Sequence, residues 1–525
     1  MFPIRCIPAR RIFALALLLA AISLAGYPVK AAWYEASSDH FVIYADDDED
    51  EIRIFAENLE RYHSAMERFT GRDLPKPSPS NRITVYAVGS AGKVRQLAGS
   101  TGVVGFYLPR SSGSVAYVQD IRNKEGLADL STKVLLHEYA HHFLSYTDRF
   151  AMPLWMNEGA AEFFSAAFFA PDGSVYLGVP SSFRDFTIFW KEEEMTSVRE
   201  LLDLDWDRLK GRNAKDKQSF YGRSWILYHY LSTAEDRSGQ LREYWLQVLR
   251  GTPSLEAAQA TFGDLGVLER QLNRHFRDRN KKSYHIKADE IDASPVAMRA
   301  LSDGEAAMMH IRISADRGLP TQATIGLAEQ ARNIASSYPE NPAVQAVLAK
   351  VEYDARNNDA AVSAAKNTLA LDPDRGDALL HKGLALFRKA RGASDAVRKS
   401  SAYDEGMASL EQLGSKEPDH TVPLSHAYRY FVEQGLDPTD EAKLALVRSA
   451  ELAPFDQELW LITGMMHMND GRIADAKAAL LPLASNPHGG EKAEQVRSLL
   501  SFLSDKSEGQ AIPVQDAISS YFNSE

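Results

Sequence analysis

The chain has 525 residues, 45% of them hydrophobic and 25% charged, so it is globular in composition and too long for a single hydrophobic core; two or three domains are expected. Its formal charge of −12 argues against nucleic acid as a partner. Beyond the first 25 residues no apolar stretch is long enough to span a bilayer, so no membrane span is expected after loss of a leader.

Arg5, Arg10 and Arg11 precede an apolar run from Ile12 to Ala25 that only Ser23 interrupts. Charge followed by a short apolar run is the pattern of a signal peptide, here residues 1–25, and the run is short for a membrane helix. Ser23 and Ala25 offer a cleavage site before Gly26, Val29 to Ala31 offer a second, and an uncleaved anchor is the alternative. The protein is therefore expected to be exported, periplasmic or secreted. Cys6, the single cysteine, lies ahead of the apolar run, which is not where a lipid-anchored cysteine follows a cleavage site. The mature chain then has no cysteine and no disulfide, so packing, a metal or a partner must hold it together.

From Trp33 to about Lys287 strand and helix patterns alternate. Phe41 to Tyr44 and Ile83 to Val88 are β-branched and aromatic runs. Between them Glu51 to Phe69 carries Ile52, Phe55, Leu59, Tyr62, Met66 and Phe69 at helical spacing. The acidic run Asp46 to Glu51 invites a calcium site, but it sits at a helix start, where carboxylates cap amides and favour the positive end of the dipole; capping is the better reading. Val103 to Leu108 and Val115 to Val118 read as a hairpin joined by the turn-forming Pro109 to Ser114.

Ser131 to Tyr146 is helical by pattern, with Val134, Leu135, Phe143 and Leu144 apolar and Ser131 as a candidate cap. His137 and His141 are four residues apart, so both imidazoles project from nearly the same face and can bind one ion. Glu138, beside the first histidine, is placed to act as general base on a water in a zinc hydrolase. His142 is rotated by about 100° from His141 and is expected to pack or hydrogen bond instead. Catalytic zinc takes a third protein ligand. The segment Trp155 to Glu162, opening an amphipathic helix after Pro153, supplies Glu158 for that place. Glu162, one turn on, suits the N–H of a ligating histidine, in a helix otherwise apolar at Phe163, Phe164 and Phe168.

The run from His137 to His142, HEYAHH, followed by WMNEGAAE from Trp155 to Glu162, resembles the gluzincin metallopeptidases, in particular the peptidase-MA-like proteins distantly related to thermolysin and the zinc aminopeptidases. The resemblance covers residues 33–287 and implies an α+β zincin-like domain. It implies zinc as cofactor, His137, His141 and Glu158 as its ligands, and Glu138 as catalytic base. It also implies an oxyanion-binding tyrosine on a later helix, for which Tyr221 is the candidate and Tyr228 the fallback. No Gly-x-Met-Glu-Asn sequence precedes the zinc helix, so recognition of a free amino-terminus is not supported and endopeptidase action is favoured. An edge strand of the Val103 to Val118 hairpin could then pair with an extended peptide.

Arg277, Arg279, Lys281 and Lys282 read as a solvated helix terminus and linker. Beyond Ser294 strands vanish from the pattern, alanine and leucine rise, and a repeat begins. Tyr338-Pro339, Asp372-Pro373, Glu417-Pro418, Ala453-Pro454 and Asn486-Pro487 recur at 34, 45, 36 and 33 residues, a tetratricopeptide-like period. Ten residues after successive prolines stand Ala349, Gly383, Tyr428 and Gly464; apart from Tyr428 these are the small residues that packed helices need. Ala361 and Ala476 stand 22 residues after Pro339 and Pro454. An insertion near Gly392 to Ser401 accounts for the long interval. An all-α repeat domain over 294–525 is expected to fold alone, and the half ending at 287 to keep zinc alone.

The reading is an exported zinc endopeptidase with a peptide or protein substrate, whose repeats bind substrate or a partner protein. The alternative is a non-catalytic repeat scaffold with a structural or vestigial zinc site; a zinc hydrolase of non-peptide amides is a third possibility.

Overall fold

The structure, a computed structural model, describes residues 33–122, 126, 128–147, 152–180, 195–485, 490–513 and 515–516. The proposed leader and Asn486-Pro487 lie outside the described residues. Among the described residues no helix is long and apolar enough to cross a membrane.

Nine strands are present among the described residues: β1 (Tyr34–Ser37), β2 (Phe41–Ala45), β3 (Ile83–Ala87), β4 (Gly105–Leu108), β5 (Val115–Val118), β6 (Phe168–Phe169), β7 (Val175–Leu177), β8 (Tyr284–Ile286) and β9 (Ala297–Ala300). Six form a sheet in the order β4-β5-β3-β2-β1-β9, and β6-β7-β8 form a smaller one. In the large sheet β2, β3 and β5 run parallel, while β4, β1 and β9 pair antiparallel to their neighbours. Parallel strands need a crossover, and the helix Glu49–Thr70 makes it between β2 and β3. Asp48 caps that helix, its carboxylate accepting from the amides of Asp50 and Glu51, and Gly71 ends it at φ 67°. The acidic run therefore supplies a cap and a dipole-compatible first turn.

Alternation along the strands sends side chains to two different covers. Phe41, Ile43, Val85, Ala116 and Val118 join the main core with Ile52, Phe55, Leu59, Tyr62 and Met66 of the crossover helix and with the two helices that carry the candidate site. Val42, Tyr44, Tyr86, Val115 and Tyr117 face the other way, against Met309 and Ile313 of the helix Asp303–Arg317. Tyr117 donates its hydroxyl to the Ile313 carbonyl at 3.1 Å and Tyr86 donates to Asp316 at 2.5 Å.

The expected boundary near Ser294 is thus corrected in one respect: β9 and the helix Asp303–Arg317 belong physically to the sheet. β9 pairs with β1, Ala36 opposite Met298. The four residues of β9 are mostly exposed, so no buried-face alternation marks them in the sequence.

Past β9 the chain is a solenoid-like stack of helical hairpins. After Asp303–Arg317 and Thr321–Ser337 come Pro342–Asp354 with Asn358–Leu371, Gly376–Gly392 with Ala396–Lys416, Thr421–Val432 with Asp440–Leu452, and Gln457–Asn469 with Ile473–Ala484. Each of the prolines 339, 373, 418 and 454 stands three residues before the first helix of its hairpin. The small residues are contact points: a Cβ on Gly383 would meet Leu410 at 2.6 Å, and one on Gly464 would meet Leu480 at 2.7 Å. Ala349, Ala361 and Ala476 are fully buried. The long interval is taken up by longer helices on both sides of a short turn rather than by an extended loop.

The stack touches the first half at several points. Glu417 accepts from the amide and hydroxyl of Ser80, both at 2.9 Å, and Thr421 donates to the Ser111 carbonyl. The basic cluster is a helix end, as expected: Lys281 donates to the Phe276 carbonyl at 2.9 Å, closing the helix Leu265–Arg277.

Candidate metal centre

The helix Leu130–Thr147 carries the first motif. Leu135, Leu136, Tyr139, Ala140, Phe143 and Leu144 bury one side of it, which leaves His137, Glu138 and His141 on the remaining face. Its cap is Asp129, not Ser131: Asp129 Oδ1 accepts from the amides of Ser131 and Thr132 at 2.6 and 3.1 Å. Ser131 ties the helix to the hairpin, donating to the Val104 carbonyl and accepting from the Gln119 amide. From the other side, Tyr62 of the crossover helix donates to the Leu136 carbonyl at 3.0 Å.

The second motif lies on the helix Leu154–Ser165, which begins after Pro153 and is buried at every position except Asn157. It stops at Ser165, so Phe168 is in β6 and not on the helix. Glu158 and Glu162 are thus carboxylates buried among Trp155, Phe163 and Phe164, a costly arrangement unless charged or donor groups face them. What faces them is the histidine pair. Nε2 of His137 and Nε2 of His141 are 3.1 Å apart, and each is 3.5 Å from Glu158 Oε2.

Two imidazole nitrogens and one carboxylate oxygen at these separations fit a bound cation. A tetrahedral zinc site with bonds of about 2.0–2.1 Å has ligand-to-ligand edges of about 3.3 Å. The three edges, 3.1, 3.5 and 3.5 Å, bracket that value. Borderline nitrogen donors with one carboxylate suit zinc among divalent metals. Among the described residues this is the one group of histidine, cysteine and acidic side chains whose donor atoms converge in this way.

Behind the donors stand supporting groups. Glu162 Oε1 is 3.7 Å from Nδ1 of His137, beyond hydrogen-bond range but in position to orient the ring. His141 Nδ1 is 3.2 Å from Asn157 Oδ1. Asn157 is the residue that sequence reasoning passed over; its place one residue before Glu158 was visible, but nothing in that spacing says that its amide faces His141. Burial disfavours charge on His141, but Glu158, Glu138 and the Asn157 contact outweigh it and raise its pKa to about 9.

A cleft of about 220 Å³ opens beside the centre, lined by Lys133, His137, Glu138, Glu162, Tyr221 and Trp225 among others. Tyr221 reaches it from the helix Ala214–Thr233. Tyr228, the fallback for the same role, instead packs its ring against Phe163 and Phe164. His142 turns away as its 100° offset required: its Nδ1 is 2.7 Å from the Tyr107 hydroxyl, its ring lies 5.3 Å from Phe455 of the repeats, and burial lowers its pKa to about 3. Next to it Tyr146 donates to the Leu452 carbonyl at 2.8 Å, so the motif helix leans on the repeat stack.

No family model matches this chain, and neither does any curated protein. Among solved structures it is similar to TTC0263, a thermophilic TPR protein in Thermus thermophilus, with 14% identity and a TM-score of 0.30 over 38% of this chain and 98% of that one. At that level the helical hairpins and their spacing remain the ground for the repeats.

Proposed function

We propose that this chain is an exported zinc-dependent endopeptidase, with an α+β zincin-like domain of the gluzincin kind and repeats that engage the substrate or a partner protein. The observation that carries this reading is the convergence of His137, His141 and Glu158 within 3.5 Å of one another beside a cleft that Glu138 lines.

Zinc bound there would supply Lewis acidity, polarising a carbonyl and making hydroxide accessible near neutral pH. The chain's own groups do the rest. Glu138 accepts a proton from the attacking water at its carboxylate and delivers it to the leaving amine nitrogen. Tyr221 donates its phenolic hydrogen to the oxyanion that develops as the carbonyl is attacked. Glu162 and Asn157 hold the two imidazoles in register. β4 is an edge strand of the sheet among the described residues and packs against the helix that carries the histidines, so an extended peptide pairing with it would run beside that helix.

The test is to purify the full-length protein, measure its zinc and assay it on unfolded casein. We expect about one zinc per chain and proteolysis that Glu138→Gln removes while zinc stays bound. Full activity in that variant would reject Glu138 as the base. Bound zinc with no cleavage by the wild-type protein would favour the competing reading, a repeat scaffold with a structural zinc site.

A further inference from the structure

Lys133 lies one helical turn before His137 on the face that carries the histidines, and it lines the same cleft as Glu138, Tyr221 and Trp225. The side chain is half-buried, and among the described residues its ammonium makes no hydrogen bond or ion pair. Burial lowers its pKa, and Asp129 opposes that shift only in part. Asp129 is otherwise engaged: Oδ1 holds the amides of Ser131 and Thr132, and Oδ2 accepts from the Thr132 hydroxyl at 2.9 Å. Among the described residues no carboxylate contacts the ammonium directly, so in this partly apolar cleft, between Leu130 and Val134, it is open to a direct ion pair with an anion that enters, although Asp129, Glu138 and Glu162 lie in its surroundings.

One turn of helix is about 5.4 Å, and an extended peptide advances about 3.3 Å per residue. An anion facing Lys133 would therefore sit one or two residues from a bond placed at the histidines. We propose that Lys133 is the specificity-determining residue of this cleft and that it selects peptides with a carboxylate one or two residues from the bond cut. That carboxylate comes from an acidic side chain or from a free C-terminus. The inference rests on the peptidase reading above and adds the chemical class of its substrate.

The experiment gives the zinc-loaded full-length protein peptides that differ only by Glu, Gln or Lys at each position within two residues of the cut, and by a free or amidated C-terminus. A carboxylate-bearing peptide should be cut with about tenfold higher kcat/KM than its neutral counterpart, the worth of one charge-assisted hydrogen bond. The Glu-to-Gln ratio marks the side-chain source and the acid-to-amide ratio the terminal one. Lys133→Arg should keep the ratio, Lys133→Gln should bring it near one, and Lys133→Glu should reverse it in favour of the Lys peptide. Peptide affinity measured by fluorescence anisotropy in a Glu138→Gln background gives the same ratios without turnover. Equal cleavage of charged and neutral peptides by the wild-type protein would overturn the role of Lys133 and leave the peptidase reading standing. If no peptide is cut, the peptidase reading falls. Anisotropy then decides Lys133 by itself: carboxylate-dependent affinity lost in Lys133→Gln upholds it, and equal affinities overturn it.

Discussion

A Cβ on Gly159 would stand 2.5 Å from the carbonyl oxygen of Ser224, so the helices Leu154–Ser165 and Ala214–Thr233 touch backbone to backbone at that point. Glu158 precedes the contact on one helix, and Tyr221 lies one turn before it on the other. The approach of the two helices therefore sets how far the third donor stands from the tyrosine across the cleft.

Gly159→Ala should force these helices apart, because the obstacle is main chain and cannot rotate away. We expect a loss of about 1–3 kcal/mol in stability, the usual cost of overpacking, together with weaker zinc binding. Urea denaturation and a zinc titration check both; an unchanged midpoint would mean that the helices do not approach so closely.

Metal retention should be graded. Glu158→Ala should abolish zinc binding, while Glu162→Ala and Asn157→Ala should each weaken it by about 10 to 100-fold. Equal losses in all three would show that the roles of Glu158 and its supports are confused. Zinc must also displace the proton that the carboxylates hold on His141 up to about pH 9. Proton and metal compete for Nε2, so affinity should rise with pH through the neutral range and level off near 9. Calorimetry at pH 7.5 in buffers of different ionisation enthalpy should show about one proton released per zinc bound.

The sequence leads one to expect that a chain ending at residue 287 keeps its zinc but loses solubility where a domain contact is exposed. The sheet identifies that contact: such a fragment lacks β9 and bares Tyr44, Tyr86 and Tyr117, which Met309 and Ile313 cover. It should be insoluble or bind a hydrophobic dye, whereas a chain ending near residue 356, which keeps that cover and the helices Thr321–Ser337 and Pro342–Asp354 packed on Met308 and Ile311, should be folded. Soluble yield, circular dichroism and dye fluorescence separate the two. A well-folded fragment ending at 287 would show that the cover from the helix Asp303–Arg317 is dispensable.

Acid should destabilise the protein before its carboxylates titrate. Burial lowers the pKa of His229 to about 3 and of His420 and His426 to about 4. Between those values and the unfolded value of about 6.5 the unfolded chain binds more protons than the folded one, so stability rises with pH and is lost as pH falls from about 6.5 towards 4. Each such histidine contributes at most about 1.4 kcal/mol per pH unit. Urea midpoints at pH 7.5, 6 and 5 test this, and a flat profile would mean that these rings are solvated.

Local periodicity by itself determined a good deal here. The four-residue spacing of His137 and His141 needs only the 3.6-residue helical period to put two nitrogens on one face, and the same period aligns Glu158 with Glu162. The crossover helix, the hairpin strands and the proline-marked repeats were legible because each is a pattern of near neighbours. Other features were decided by tertiary structure alone. They include the 3.5 Å separation of Glu158 from the histidines, the choice of Asp129 over Ser131 as cap, Asn157 facing His141, Tyr221 rather than Tyr228 in the cleft, and β9 completing a sheet begun more than 250 residues earlier. All of these are distances between segments remote in sequence. They are set by close packing of whole helices and strands, and a spacing along one segment carries no record of which other segment it will meet.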